Sequence, residues 1–278
     1  MDGAACKQVS LLRAIVTSSE MNRFSLNIIA VMSLVGTLFS PVVAQDKTID
    51  PEEREKIEQI VQDYLLENPE IIAIAFRELQ RRQTLARMGP QIEMYRGFLE
   101  NEQNAAVLGN PNGDVTIVEF FDYRCGFCRR HFPEVMKLVK DDGNIRFLPR
   151  QFPILDRPNE NPVSYIASRA ALAAKRQDKF EEFHVAAMTS EGSLTEDGIY
   201  AIAARVGLNI AKLKADMNDP LIIKNVQNTL AIGKDIGFEG TPGYIIGDDV
   251  VTGAGGYGRL LQAVNRARKA TSSATAGN

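Results

Sequence analysis

Two cysteines separated by two residues, Cys125-Gly126-Phe127-Cys128, are the part of this 278-residue chain best suited to chemistry. Thiol-disulfide exchange needs a thiolate that attacks, a second thiol close enough to resolve the mixed disulfide, and a backbone that accepts both states. On a helix, residues three apart share a face, so Cys128 would stand one turn inside and above Cys125. With Cys125 at the helix start, unpaired backbone N–H groups and the positive end of the helix dipole would stabilise its thiolate. Arg124, Arg129, Arg130 and His131 flank the pair with positive charge that would act in the same sense.

Other chemistries use the same spacing. Half of a zinc site also reads CxxC, but a second cysteine pair is missing and the chain holds only two histidines, His131 and His184. Soft thiolates could hold Cu(I), which would make this a non-enzymatic metal- or peptide-binding protein on the same frame. A purely structural disulfide is a third alternative, weakened because closing so short a loop removes little unfolded-chain entropy. The exchange reading requires no cofactor. Composition narrows the partners: 45% hydrophobic and 24% charged residues with a formal charge of −3 describe a globular protein with no basic footprint for a nucleic acid.

The N-terminal residues set the compartment. Met21-Asn22-Arg23, the mostly apolar run Phe24 to Phe39, and Ser40-Pro41-Val42-Val43-Ala44 form the outline of a signal peptide ending at Ala44. The apolar run is shorter than the roughly 20 residues of a membrane span, and Asn27 and Ser33 dilute it, so an uncleaved anchor is the weaker reading. Residues 1–20 do not resemble a signal start, which places the expected start at Met21. Export to the periplasm removes Cys6 and leaves Cys125 and Cys128 as the cysteines of the mature chain. Gln45 stands where a lipoprotein would need cysteine.

Several elements must then position the pair. Residues 45–106 read as helices: Asp50-Pro51-Glu52-Glu53 starts one, with Ile57, Ile60, Val61, Tyr64 and Leu65 on one face. Asn68-Pro69-Glu70 starts a second, which Gly89-Pro90 is expected to stop before a shorter helical piece at Tyr95 to Leu99. Their apolar faces have either the following domain or further copies of the chain to pack on. Turn formers from Leu108 to Asp114 then open a domain over 107–270. Val115 to Phe121 is a nearly continuous apolar strand interrupted by Glu119, a helix follows the cysteines, and Ile145 to Pro149 is a second strand. Residues 162–237 are patterned as helices throughout, an all-helical insertion in an α/β fold. Strands return at Tyr244 to Ile246 and Val250-Val251, joined by Gly247-Asp248-Asp249; a last helix spans 258–269, and the small polar tail 271–278 reads as disordered.

Val118 to Cys128, followed far downstream by Gly240-Thr241-Pro242-Gly243-Tyr244, resembles the DsbA-like branch of the thioredoxin superfamily over about residues 107–268. The helices at 50–105 look like those of oligomeric ScsC-type proteins. The resemblance implies a thioredoxin-like fold carrying the helical insertion, preceded by an N-terminal oligomerisation region. It makes Cys125 the nucleophile, Cys128 the resolving cysteine, Pro242 a cis-proline facing them, Thr241 a contact for the substrate backbone, and Glu119 a buried proton relay to Cys128. A carboxylate inside Val118-Glu119-Phe120-Phe121 is costly unless it is used, whereas an edge or solvated acid would be the bland alternative. Implied partners are cysteine-containing client proteins, a membrane redox partner that resets the pair, and further copies of the chain. Strong oxidants of this branch usually carry Pro-His between the cysteines and valine before the cis-proline; Gly126-Phe127 and Thr241 look more like the disulfide isomerases.

Overall fold

The computed structural model describes residues 50–101, 103 and 105–276; the expected export signal, and Cys6 within it, lies outside them. The chain divides into two units between Glu67 and Asn68. The described part of the first unit is a helix, α1 (Pro51–Glu67), with Glu52 and Glu53 in its first turn, where the helix dipole favours acids. None of its residues is buried, and Ile57, Ile60, Val61 and Tyr64 are exposed.

The second unit begins with α2 (Glu70–Leu99), which runs unbroken through Pro90. The expected stop at Gly89-Pro90 is therefore corrected. An interior proline costs about 3 kcal/mol, but Met88, Ile92 and Leu99 on either side of it are all at most 3% exposed, packed in one cluster with the sheet residues Val118, Phe120 and Leu148. Tertiary burial outweighs the local penalty. For the same reason the structural division falls at Asn68, well before the turn-rich segment at 107 that reads as the boundary in the sequence. Arg150 ties down the end of α2: it is 1% exposed and donates to the carbonyls of Phe98 and Leu99, with Nε 2.8 Å from Leu99 O. Burial lowers its pKa to about 9.

The sheet follows from the apolar runs. β1 (Leu108–Gly109), β2 (Val115–Phe121), β3 (Ile145–Gln151), β4 (Gly243–Ile246) and β5 (Asp249–Thr252) lie in the order β1-β3-β2-β4-β5. β2 and β3 are parallel, joined by the crossover helix α3 (Gly126–Asp142), and the other pairs are antiparallel. β1 is not legible in the sequence, because two residues carry no periodicity. Its close approach needs a glycine: a Cβ on Gly109 would lie 2.5 Å from Val139 Cγ1 and 2.6 Å from the Ile145 carbonyl.

Helices α4 (Val163–Lys175), α5 (Phe180–Met188), α6 (Glu196–Arg205), α7 (Ile210–Met217) and α8 (Pro220–Ile236) follow β3. The first four pack through Ala167, Ala170, Phe183, Ile199, Ala203 and Leu213 into the cluster that holds the cysteines. α8 is divided: Ile222 and Val226 join that cluster, while Ile232 and Ile236 cover the other face of the sheet beside α2. The last helix, α9 (Gly256–Ala276), buries Leu260, Ala263 and Val264. It corrects the expectation of disorder from Thr271: the hydroxyls of Thr271, Ser272 and Ser273 bond the carbonyls of Ala267, Arg268 and Lys269 at 2.8–3.1 Å, so these small polar residues are absorbed by the helix itself.

Alternation along the strands assigns the faces. Ile117, Phe121, Phe147 and Tyr244 point to the side of α3 and α9, and Val118, Phe120, Leu148 and Ile245 to the side of α2 and the end of α8. Glu119, two residues from both Ile117 and Phe121, shares their side.

Candidate active site

Cys125 is the N-cap of α3, with extended backbone (φ −72°, ψ 111°), and its Sγ accepts from the Cys128 N–H at 3.4 Å. Sulfur here takes the part usually played by a serine or aspartate oxygen at a helix start. Both cysteines are free thiols; Cys125 is 6% exposed and Cys128 fully buried. The Cys125 pKa is lowered to about 5, first by the hydrogen bond from the Cys128 thiol, against the opposing effect of burial, with help from Thr241 and the N–H groups of Cys128 and Phe127. Cys128 is pushed far above the usual thiol range by burial, by its bond to Cys125 and by the nearby Glu119 charge. One thiol is thus held ready as thiolate and the other as a protonated reserve.

The turn before the cysteines is clamped. The Asp122 carboxylate accepts from the Arg124 N–H (2.8 Å), the Leu155 N–H (3.0 Å) and the Ser164 hydroxyl (2.8 Å), and its main-chain carbonyl accepts from the Cys125 N–H at 3.0 Å. Asp156 accepts from the N–H groups of Ser164 and Tyr165 at the start of α4 and pairs with Arg124 at 3.2 Å. Together these carboxylates fix the Cys125 loop to the base of the helical insertion.

The flanking basic residues serve the scaffold. Arg129 donates to the Gly192 carbonyl (2.7 Å) and the Ser190 hydroxyl (3.0 Å), and Arg130 lies 4.7 Å over the Phe127 ring. His131 Nε2 accepts from the Gly256 N–H at 2.8 Å, which seats the start of α9 on α3. None of these groups is among the leading causes of the low Cys125 pKa; hydrogen bonds do that work. Sequence proximity suggested a field that the fold spends on ties between elements.

Opposite the cysteines, the Thr241–Pro242 peptide is cis, and the Thr241 carbonyl lies 3.3 Å from Cys125 Sγ. Gly243 follows with its Cα against the Phe238 ring, where a Cβ would come within 2.5 Å. Glu119 is 1% exposed in the middle of β2, directly across from Tyr244 of β4. Burial raises its pKa to about 8, the neighbouring Tyr244 hydroxyl partly offsets this, and negative charge on Cys125 adds to it. Neither Glu119 Oε2 nor the Tyr244 hydroxyl completes a well-formed hydrogen bond. The structure therefore brings Cys125, Cys128, Glu119, Thr241 and Pro242 to one place.

Reading the residues singly missed Tyr244, Asp122 and the pair behind them, Tyr123 and His184. His184 Nδ1 lies 2.9 Å from the Tyr123 hydroxyl in a cage that includes Phe121, Phe132 and Phe180, and burial alone lowers its pKa to about 3. Both histidines that a zinc site would have required are thus committed to packing and hydrogen bonds.

A family model described as the DSBA-like thioredoxin domain matches residues 116–265. The chain belongs to the DSBA-like thioredoxin family. The family's matched span runs from β2 into α9 and so contains every residue of the site just described. Residues 53–84 match the copper resistance protein ScsC N-terminal domain. A thioredoxin-like oxidoreductase from Silicibacter pomeroyi is 45% identical with a TM-score of 0.59, covering 63% of this chain and 98% of its own. The thiol-disulfide exchange protein alpha-DsbA2 of Wolbachia pipientis is 28% identical with a TM-score of 0.59, covering 68% of this chain and 97% of its own. The Na(+)/H(+) antiporter NhaA 1 of Salinispora arenicola is 31% identical over 113 residues, which are 41% of this chain. The chain spans 17–22% of the length of the curated relatives it matches, and no helix among the described residues is long and apolar enough to cross a membrane. Within this DSBA-like fold the thiolate-forming cysteine is Cys125, 6% exposed at the start of α3.

Proposed function

We propose that this protein exchanges disulfides with cysteine-containing client proteins in the periplasm, with isomerase character. The observation that carries the reading is the division of labour between the two sulfurs: Cys125 lowered to about 5, Cys128 raised and buried one turn behind it. In reduction, the Cys125 thiolate attacks one sulfur of a client disulfide; that bond breaks, a client thiolate leaves, and a mixed disulfide forms. Ionised Glu119 takes the Cys128 proton, the new thiolate attacks Cys125 Sγ, and the second client sulfur leaves while Cys125 and Cys128 become the disulfide. Oxidation of a client runs the same steps in reverse. In isomerisation a second client thiol resolves the mixed disulfide in place of Cys128, which returns Cys125 unchanged.

Thr241 and Pro242 form the wall opposite Cys125 against which the client backbone would lie. Gly126-Phe127 and Thr241 support the isomerase leaning. The apolar face of α1, exposed along Ile57, Ile60, Val61 and Tyr64, is suited to pairing with further copies, which would gather several active sites around one space. The net oxidation or reduction of clients would require a membrane redox partner to reset the pair. The matched ScsC segment, 53–84, contains no cysteine, histidine or methionine, so it adds no soft ligand to a Cu(I) site. Reactivation of scrambled ribonuclease by the purified protein tests the proposal. Efficient oxidation of reduced substrate without reactivation would make it an oxidase; stoichiometric Cu(I) retention with no mixed disulfide trapped by Cys128→Ala would make it a metal binder.

A further inference from the structure

Beside the sheet, a cleft of about 980 Å³ lies between α2 and the edge formed by β5 and α9. Arg77, Arg81 and Arg87 enter it from α2 and Arg259 and Arg266 from α9, with Glu78 the single acid of the lining. The cleft runs against the sign of the whole chain, whose formal charge is −3. Its internal charges are unequally matched. Arg81 bonds Glu78 at 2.8 Å and reaches Asp249 at 3.5 Å, Arg82 also holds Glu78, and Arg266 pairs with Asp249 at 2.5 Å. Arg77 and Arg87 form no ion pair among the described residues, and Arg259 contacts the Thr252 carbonyl at 3.5 Å rather than a carboxylate.

Convergent guanidinium groups in a walled cleft focus the field and favour an anionic occupant. Their planar donor forks match carboxylates in two-point contact. The position of the cleft says which carboxylates. Thr252 pairs with Gly243, and the Gly253 N–H donates to the Pro242 carbonyl at 2.9 Å, so one end of the cleft adjoins the cis-proline loop whose Thr241 carbonyl faces Cys125. The outer edge of β5 is partly closed to strand addition, since the Val250 N–H is taken by the Asp249 carboxylate at 3.0 Å and the Thr252 carbonyl by Arg259. Recognition there would run through side-chain charge.

We propose that this cleft is a second client-binding site, which takes an acidic stretch of the polypeptide whose cysteine reacts at Cys125, pairing its carboxylates with Arg77, Arg87 and Arg259. It rests on the thiol-disulfide reading. The test uses the full-length reduced protein and two disulfide-bearing peptides with the same reactive segment. One continues into a glutamate-rich tail of about ten residues, long enough to span about 33 Å when extended; the other has a neutral tail of equal length. The acidic peptide should react roughly tenfold faster or more at low ionic strength. That advantage should vanish in about 1 M salt, where screening acts within about 3 Å, and in the Arg77→Gln/Arg87→Gln double variant, with the neutral-tailed peptide unaffected. Equal rates for the two tails, an advantage that survives in the variant, or a parallel loss toward both peptides would overturn the proposal. No exchange with either peptide would instead overturn the thiol-disulfide reading beneath it.

Discussion

Glu119 and Tyr244 face each other across the β2–β4 pair, 1% and 0% exposed, and the carboxylate Oε2 and the phenol hydroxyl each lack a completed hydrogen bond. Two unsatisfied oxygens opposed in an apolar interior are expensive to keep. Their placement beside the cysteines fits the proton transfer proposed for Glu119.

Glu119→Gln should slow resolution of the mixed disulfide by about 10²-fold or more. In the parent protein that rate should rise with pH to an inflection near 8, the raised Glu119 value, and the variant should lose the inflection. Stopped-flow measurement of client release across pH 5–9 checks both. The same substitution should stabilise the fold. A raised carboxyl keeps its full contribution below its ordinary value of 4.5 and loses it as pH climbs through about 8, so the gain, on the order of a few kcal/mol, should be largest at pH 8 and above. A variant no more stable than the parent at pH 8 would count against the buried carboxyl.

Tyr244→Phe removes the group that draws the Glu119 pKa down. The inflection should move upward from about 8, while stability stays level or rises, because the lost hydroxyl had no completed bond. An unmoved inflection would show that the phenol only packs.

Alkylation of the reduced protein should titrate Cys125 with a midpoint near 5, and Cys128→Ala should raise that midpoint because it deletes the largest stabilising bond. Linkage follows with a defined sign. A depressed thiol contributes stability above its ordinary value of 9.0, and this is lost as pH falls through about 5, so the reduced form should lose melting temperature from pH 9 to pH 5 relative to the disulfide form. Differential scanning of both redox forms reads this directly.

Asp122→Ala leaves the Arg124 and Leu155 N–H groups and the Ser164 hydroxyl without their acceptor. Urea denaturation should show a loss of about 2–4 kcal/mol. Because the same bonds place the Cys125 loop, alkylation of Cys125 should slow as well; a variant with full stability and reactivity would remove Asp122 from the clamp.

Replacing Ile60 and Tyr64 with aspartate on the exposed face of α1 should lower the mass measured by sedimentation to that of a single chain, with thiol reactivity retained. A mass unchanged from the parent, whatever its value, would dismiss that face as the pairing surface.

The features legible in the sequence are those set over short distances. The i, i+3 spacing of Cys125 and Cys128, the helix that follows them and the oddity of Glu119 inside an apolar strand depend on neighbours along the chain, where periodicity and solvation cost act directly. Thr241 and Pro242 were legible only through their resemblance to a family, since nothing local to them points at a thiol more than a hundred residues away. The tertiary structure decided what competes across distance. Pro90 sits within a helix because Met88, Ile92 and Leu99 gain a sheet to pack on. Arg129 and His131 became ties to the insertion and to α9 because their partners, Gly192 and Gly256, arrive from remote segments. Tyr244 became the partner of Glu119 only through strand register. Local spacing chose the two sulfurs; burial and register, which exist only after folding, determined which of them is the readier thiolate and set Glu119 and Tyr244 opposite each other.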